Sequence, residues 1–270
     1  MKTSVSLSLF EGSKEAPILF RNDIENNIPF IKKMGYDGID LFVLDPKAQV
    51  SGRAKELLKA NDLGVGVVMP AALAGEGLFL GHIDKNIRQT ILGRMEEIID
   101  YTSDFEGGMV SLGLVRGSVE APGDTKEALL DRFADTTSKL IPFAKKRGVR
   151  LVIEPINRYE INTINSSLEA YDFIRQTGLP IGLMLDTFNM NIEDVDYHES
   201  LKVCGDLVWH VHFLDSNRLA PGMGHMDMTA IYETLKTINY DNYLCLEALQ
   251  GKDYKETARQ GIEYFRRIGL

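Results

Sequence analysis

Apolar residues along the chain fall into two alternating rhythms. Eight short runs carry the β-branched and aliphatic residues of strands buried on both faces: 3–10, 37–44, 64–69, 109–114, 149–156, 181–188, 207–215 and 242–249. Between them, apolar residues recur at helical spacing. Asp23 is placed to cap a helix that runs to Met34 and ends at Gly35, and residues 51–62 make a second helix. Ile87, Ile91, Met95 and Ile98 form one apolar stripe, with Asp84 as its N-cap. Asp124 and Glu127 read as a capping box for a helix whose inner face is Leu129, Phe133 and Leu140. Pro142 inside that helix predicts a kink or an early end. Ser166 with Glu169 is a second box, closed by Gly178, and Asp253 with Glu256 opens the last helix. The sixth helix, about 194–203, has the weakest pattern, and a seventh follows Asp227.

Strand then helix, repeated eight times in 270 residues, predicts an α/β chain folded as one (β/α)8 TIM barrel, residues 1–270 forming a single domain. The rival is a doubly wound dinucleotide-binding sheet. Its first strand-to-helix turn would be Glu11-Gly12-Ser13-Lys14, which has neither G-x-G-x-x-G nor a P-loop. The net charge is −9, from 30 Lys and Arg against 39 Asp and Glu. Such a surface is ill suited to phosphate backbones or anionic membranes, so neither nucleic acid nor membrane is an expected partner. Cys204 and Cys245 sit in apolar stretches without metal spacing and read as buried thiols in a reducing compartment. Residues 1–10 alternate polar and apolar rather than forming a signal-peptide core, and no run is long and apolar enough to span a bilayer. A cytoplasmic location is expected.

The chemistry concentrates at the ends of the late strands. Leu151-Val152-Ile153 is followed by Glu154, where an apolar residue would continue the strand, and Pro155 then takes the chain out of the sheet. Asp186 ends strand six, His212 ends strand seven and Glu247 ends strand eight. In a parallel barrel these ends converge at one mouth. Three carboxylates and an imidazole crowded there repel one another unless a divalent cation joins them. A set of three oxygens and one nitrogen suits Mn²⁺, Mg²⁺ or Co²⁺ better than a structural zinc, with a Zn²⁺ ion still open.

Three stretches carry a family resemblance: Val152 through Glu160 (VIEPINRYE), Asp186 through Glu193 (DTFNMNIE), and His212 through Arg218 (HFLDSNR) with Pro221-Gly222-Met223-Gly224. They resemble the xylose-isomerase-like barrel superfamily and, within it, the ketose 3-epimerases of the D-tagatose 3-epimerase type. Ser111 through Gly117 (SLGLVRG) is most similar to the 5-keto-L-gluconate epimerase branch. The resemblance implies that Glu154, Asp186, His212 and Glu247 hold one divalent metal, often Mn²⁺. It implies that Glu154 and Glu247 are the catalytic acid/base pair, that Glu160 and Arg218 bind substrate oxygens, and that the protein is a homo-oligomer. One position departs: Asn189 stands where the family usually has histidine, which leaves part of the substrate contact open.

The chemistry of the residues agrees with that implication. Epimerising a carbon beside a carbonyl requires a Lewis acid to stabilise the enediolate and one base on each face. A small-molecule sugar or sugar acid is the expected partner. An aldose–ketose isomerase could use the same residues. A metal-dependent apurinic endonuclease needs more histidines and a basic groove than this chain has, and a non-catalytic sugar-binding barrel is favoured only by Asn189. Arg116 is expected at the barrel mouth, where it could bind an anionic group or form a surface ion pair. His225 is expected to line the pocket or to sit in a solvated loop. Phe10, Met69 and Leu114 are candidates for an apolar pocket wall or for core. His210 is expected on the opposite side of its strand from His212, as a hydrogen-bonded core histidine.

Overall fold

The computed structural model describes residues 1–13 and 15–270; Lys14, the last residue of the first strand-to-helix turn, lies outside them. Eight parallel strands form the barrel: β1 Lys2–Ser8, β2 Gly38–Phe42, β3 Gly64–Met69, β4 Met109–Ser111, β5 Arg150–Ile153, β6 Gly182–Asp186, β7 Val208–His212 and β8 Tyr243–Leu246. Each pairs with its sequence neighbours, and β1 pairs with β8 in the register Thr3 opposite Leu244 and Val5 opposite Leu246, which closes the ring. A two-residue strand, Phe20–Arg21, pairs with Leu7 and Ser8 of β1 on the flank away from β2, beyond the stretch of β1 that pairs with β8, and was not legible as an apolar run. All eight expected strands are present, though β4 is short: Leu114 begins a 3-10 turn, Leu114–Arg116.

Alternation decides what faces the barrel interior. Ile39 and Leu41 of β2, Leu151 and Ile153 of β5, Leu183 and Leu185 of β6, and Leu244 and Leu246 of β8 join the large core against the helices. Their alternates Phe42, Val152 and Met184 join a separate inner cluster with Ile18, Val67, Met69 and Met109. Continuing that inner parity by two residues carries Val152 to Glu154, Met184 to Asp186, His210 to His212 and Cys245 to Glu247. The four strand-end polar residues therefore sit on top of the inner column. A register shift in the β2–β3 pairing lies between Ile39 and Leu41. Gly66 lies in this irregular stretch, where a Cβ would stand 2.5 Å from Asp40 Oδ1 and 2.9 Å from His210 Cε1, so only glycine leaves room for that buried pair.

Most helices follow the capping residues, with four corrections. Asp23 precedes the helix Ile24–Met34, but its backbone is left-handed (φ 37°) and its carboxylate accepts from Asn26 Nδ2 instead of a helix N–H. The helix Lys126–Lys146 is capped by Thr125, whose Oγ1 accepts from Ala128 N at 3.1 Å; Asp124 instead pairs with Arg132 at 2.5 Å. That helix also continues past Pro142 without interruption. The expected sixth helix is present as Tyr197–Cys204, capped by Asp196, and a short helix that was not expected, Thr187–Glu193, precedes it because Asp186 caps the turn that follows β6. No helix among the described residues is long and apolar enough to cross a membrane.

Candidate metal centre

Glu154, Asp186, His212 and Glu247 meet as the strand ends predict, with one donor atom from each within 4.8 Å of the others. All four are buried. His212 Nδ1 lies 3.2 Å from Glu247 Oε2, 3.4 Å from Glu154 Oε1 and 3.8 Å from Asp186 Oδ2. Yet neither His212 Nδ1 nor Asp186 Oδ2 has a hydrogen-bond partner. Buried polar atoms left unpaired carry a penalty of about 1–3 kcal/mol each. Donor atoms this close together and without hydrogen bonds fit a divalent cation bound by three oxygens and one nitrogen. Asp186 uses its other oxygen, Oδ1, to accept from Asn189 N at 2.9 Å, so one carboxylate both caps a helix and faces the cluster.

Protonation shows the same conflict. Burial, reinforced by the charges of Glu247 and Asp186, pushes the Glu154 carboxyl up to about 7 against the pull of His212. Burial alone would lower His212. The charge of Glu247, together with Asp186, Asp40 and Glu154, outweighs it and holds the imidazole well above its usual range.

Beneath the cluster lies a layer the sequence did not disclose. Asp40, on β2, is buried with Oδ2 at 2.5 Å from His210 Nε2 and 3.4 Å from His212 Nε2. Its Oδ1 accepts from Ser4 Oγ at 3.0 Å. Burial would raise this carboxyl, but the charge and hydrogen bond of His210, aided by His212, carry it below the usual carboxylate range. His212 Nε2 makes no hydrogen bond at 3.4 Å, so the ring that Asp40 holds by a hydrogen bond is that of His210, and Asp40 acts on His212 through its charge. His210 is thus a core histidine with a hydrogen bond, as expected, but not on the far side of its strand. Residues two apart share a face, and the two rings stand edge to face with centroids 5.3 Å apart. Asp40 was missed because a single acid inside an apolar run carries no signal until its partners are known.

A cavity of about 340 Å³ opens above the cluster, and its wall includes Glu154, Glu247, Glu160, Asn189 and Arg218. Glu160 Oε1 accepts from Arg218 Nη1 at 2.6 Å and from Asn157 Nδ2 at 2.8 Å. Asn157 also donates through Nδ2 (2.7 Å) and its backbone N (3.3 Å) to Asn189 Oδ1. A backbone N–H can only donate, so the Asn189 amide is oriented with its oxygen toward Asn157. Its Nδ2 is buried and has no partner. Arg218 has a left-handed backbone (φ 61°), fixed by its N–H donating to Asp215 O and its carbonyl accepting from Leu249 N. The Asp215 carboxylate gathers the loop by accepting from the N–H groups of Ser216, Gly222 and Met226. Asn157 and Asp215 belong to stretches that carried the resemblance, but nothing in the sequence assigned them these bonds.

Two candidates are corrected. Arg116 is not at the mouth. It is fully buried, and all five of its N–H donors are occupied by Thr163 Oγ1 and by the carbonyls of Gly113, Glu154, Thr163 and Ile164. Burial lowers its guanidinium to about 10, partly offset by Glu154 and Glu169. It has no donor left for a substrate anion. His225 is exposed, with Nδ1 2.9 Å from Ser216 Oγ, and does not line the cavity. Phe10, Met69 and Leu114 do line it.

Comparison with known proteins places this geometry in context. The family model for the xylose isomerase-like TIM barrel matches residues 28–268. An L-ribulose 3-epimerase of Mesorhizobium japonicum is 29% identical over 92% of this chain and 83% of its own. A 3-dehydro-D-guloside 4-epimerase of Escherichia coli is 28% identical over 92% of this chain and 95% of its own. Among solved structures, the E. coli 3-keto-D-glucoside 4-epimerase superposes with a TM-score of 0.81 at 22% identity, covering 99% of this chain and 100% of the other.

Proposed function

Because the chain belongs to the xylose isomerase-like TIM barrel family, we propose that it is a sugar or keto-sugar epimerase inverting the carbon next to a ketone, with a divalent ion, Mn²⁺ foremost, at Glu154, Asp186, His212 and Glu247. One observation carries the reading. Glu154 and Glu247 belong both to the candidate ligand set and to the wall of the cavity. A divalent ion held there supplies Lewis acidity, which polarises a carbonyl and makes the neighbouring C–H acidic. Inversion then needs one group to take the proton from one face and another to return one to the opposite face. Glu154 follows β5 and Glu247 follows β8, so their carboxylates enter the mouth from strands that are not neighbours. Glu160, Arg218 and the free Nδ2 of Asn189 bind the oxygens of the sugar and hold the reacting carbon between the two carboxylates. The relatives' names, which describe inversion at carbon 3 of a ketose and at carbon 4 of a dehydro-glycoside, support the same reaction type.

The test is proton exchange in D₂O with Mn²⁺-loaded protein and a panel of ketoses, keto-acids and keto-glycosides, followed by NMR. Deuterium entering next to the carbonyl with inversion at that carbon is the expected result. Aldose formation would reassign the protein as an aldose–ketose isomerase, and no exchange on any sugar would remove the proposal.

A further inference from the structure

The orientation of two side-chain amides determines what this part of the cavity offers a ligand. A backbone N–H can only donate, and two such groups fix both amides. Tyr159 N donates to Asn157 Oδ1 at 3.1 Å, which turns Asn157 Nδ2 the other way, toward acceptors. Its hydrogens go to Glu160 Oε1 at 2.8 Å and to Asn189 Oδ1 at 2.7 Å. Asn157 N donates to the same Asn189 oxygen at 3.3 Å. The Asn157 amide is thereby saturated. The residue is 2% exposed and is not among the described residues of the cavity wall. Asn189 is on that wall, and with its oxygen taken it offers only Nδ2, which is buried and unpaired.

A second unpaired donor stands nearby. Phe188, the residue before Asn189, carries the Arg218 guanidinium over its ring at 4.8 Å. Arg218 donates through Nη1 to Glu160 Oε1, while its Nε is buried without a hydrogen-bond partner among the described residues. Two buried donors left unpaired on one cavity wall cost free energy until a ligand supplies an acceptor. The acceptor that suits them best is an oxygen without a hydrogen, above all one that gains negative charge.

Resting on the epimerase reading above, we propose that Asn157 is a positioning residue: it turns the Asn189 amide so that Nδ2, with Arg218 Nε, donates to the carbonyl oxygen of the keto-sugar. Negative charge grows on that oxygen as the neighbouring C–H is lost, so the two donors hold the transition state more tightly than the substrate. In the opposite orientation the Asn189 oxygen would face the growing charge and oppose it. Asn157 prevents this without touching the sugar.

A double-mutant cycle on Mn²⁺-loaded protein tests the assignment by crossing Asn157→Ala with Asn189→Ala. Two readouts are taken: kcat and KM on the best sugar of the panel, and calorimetric affinity for glycolohydroxamate, a planar analogue of the enediolate that is not turned over. Asn157→Ala alone should lower kcat and glycolohydroxamate affinity by about tenfold or more each, with KM within about threefold, as expected for a hydrogen bond to a charged oxygen. In the Asn189→Ala background the same substitution should change either readout by less than about twofold. Melting curves check the fold, and Asn157→Ser takes the place of Asn157→Ala in the cycle where alanine does not fold. Equal losses in both backgrounds would mean that Asn157 acts through Glu160 or through the fold, and they overturn the proposal. An undiminished affinity in Asn157→Ala, or a loss confined to KM, overturns it as well. If the wild type turns over no sugar, the epimerase reading falls, and the glycolohydroxamate cycle alone decides the role of Asn157.

Discussion

At the scale of single residues, the two glutamates make the sharpest prediction. Glu154→Gln and Glu247→Gln keep size and one oxygen donor but remove the base. Each should abolish inversion while part of the metal binding survives, and one of the two should still exchange the substrate proton without inverting the carbon. Deuterium incorporation and product analysis check this; normal inversion by either variant contradicts two-base catalysis. Asn189 makes a second. Its oxygen is occupied by Asn157 and its Nδ2 is free. Asn189→Ala should therefore lower kcat/KM by about 5- to 150-fold, the loss of roughly 1–3 kcal/mol for unpairing a polar group. Asn189→His should shift preference toward plain ketohexoses; identical values and ranking for all three proteins would show that Asn189 does not touch substrate. The four candidate ligands were legible because each is a polar residue at the end of an apolar run. Asp40 and Asn157 were not, since their importance lies in partners 170 and 32 residues away.

At the scale of elements, Arg116 shows how a side chain expected at a substrate proves to be a clamp. Its five donors join the turn after β4, the end of β5 and residues 163–164. Arg116→Met should leave four buried carbonyls without that partner and lower stability by about 3 kcal/mol or more in urea unfolding. Arg116→Lys, with fewer donors and no planar fork, should fall between. A change below about 0.5 kcal/mol would mean the contacts are incidental. The strand pattern was legible throughout because period-two alternation and buried runs dominate a barrel. The helix starts after Asp84, Ser166, Asp227 and Asp253 were legible, whereas the second helix starts at Gln49 instead of 51 and the sixth at Tyr197 instead of 194. Thr125 displaces Asp124 because Arg132 engages Asp124, and Asp186 starts a helix about two turns before the expected start at 194.

At the scale of the whole molecule, the candidate ligands tie stability to an ion. A divalent ion at a hundred times its Kd should stabilise the folded chain by about 2.7 kcal/mol, or roughly 5–10 °C in Tm at this length. Chelation should reverse it, and an unchanged melting curve with and without Mn²⁺ would argue against the site. The ion must displace protons from Glu154 and His212, whose folded-state values are both raised. Without metal, a raised carboxyl favours the folded state at low pH and loses that contribution as pH rises through about 7. Metal affinity runs the other way, growing across the same interval. The Mn²⁺-induced rise in Tm should thus be larger at pH 8 than at pH 6, with proton release seen by calorimetry in buffers of different ionisation enthalpy. A rise that shrinks with pH would overturn the assignment.

The seam between β1 and β8 has a consequence for how the protein is made. β1 leaves the ribosome first, yet one of its barrel neighbours is the last strand, and Glu247 lies in the final tenth of the sequence. At about 5–20 residues per second, that edge of β1 waits roughly 10–50 s for its partner. During this interval a nascent chain offers an open strand edge, the kind of surface on which chaperones act and misassembly begins. A chain halted before Tyr243 has neither a closed ring nor its fourth candidate ligand. Under the proposed metal site, an ion held by all four residues would report that synthesis has passed Glu247 as well as that the ring has closed.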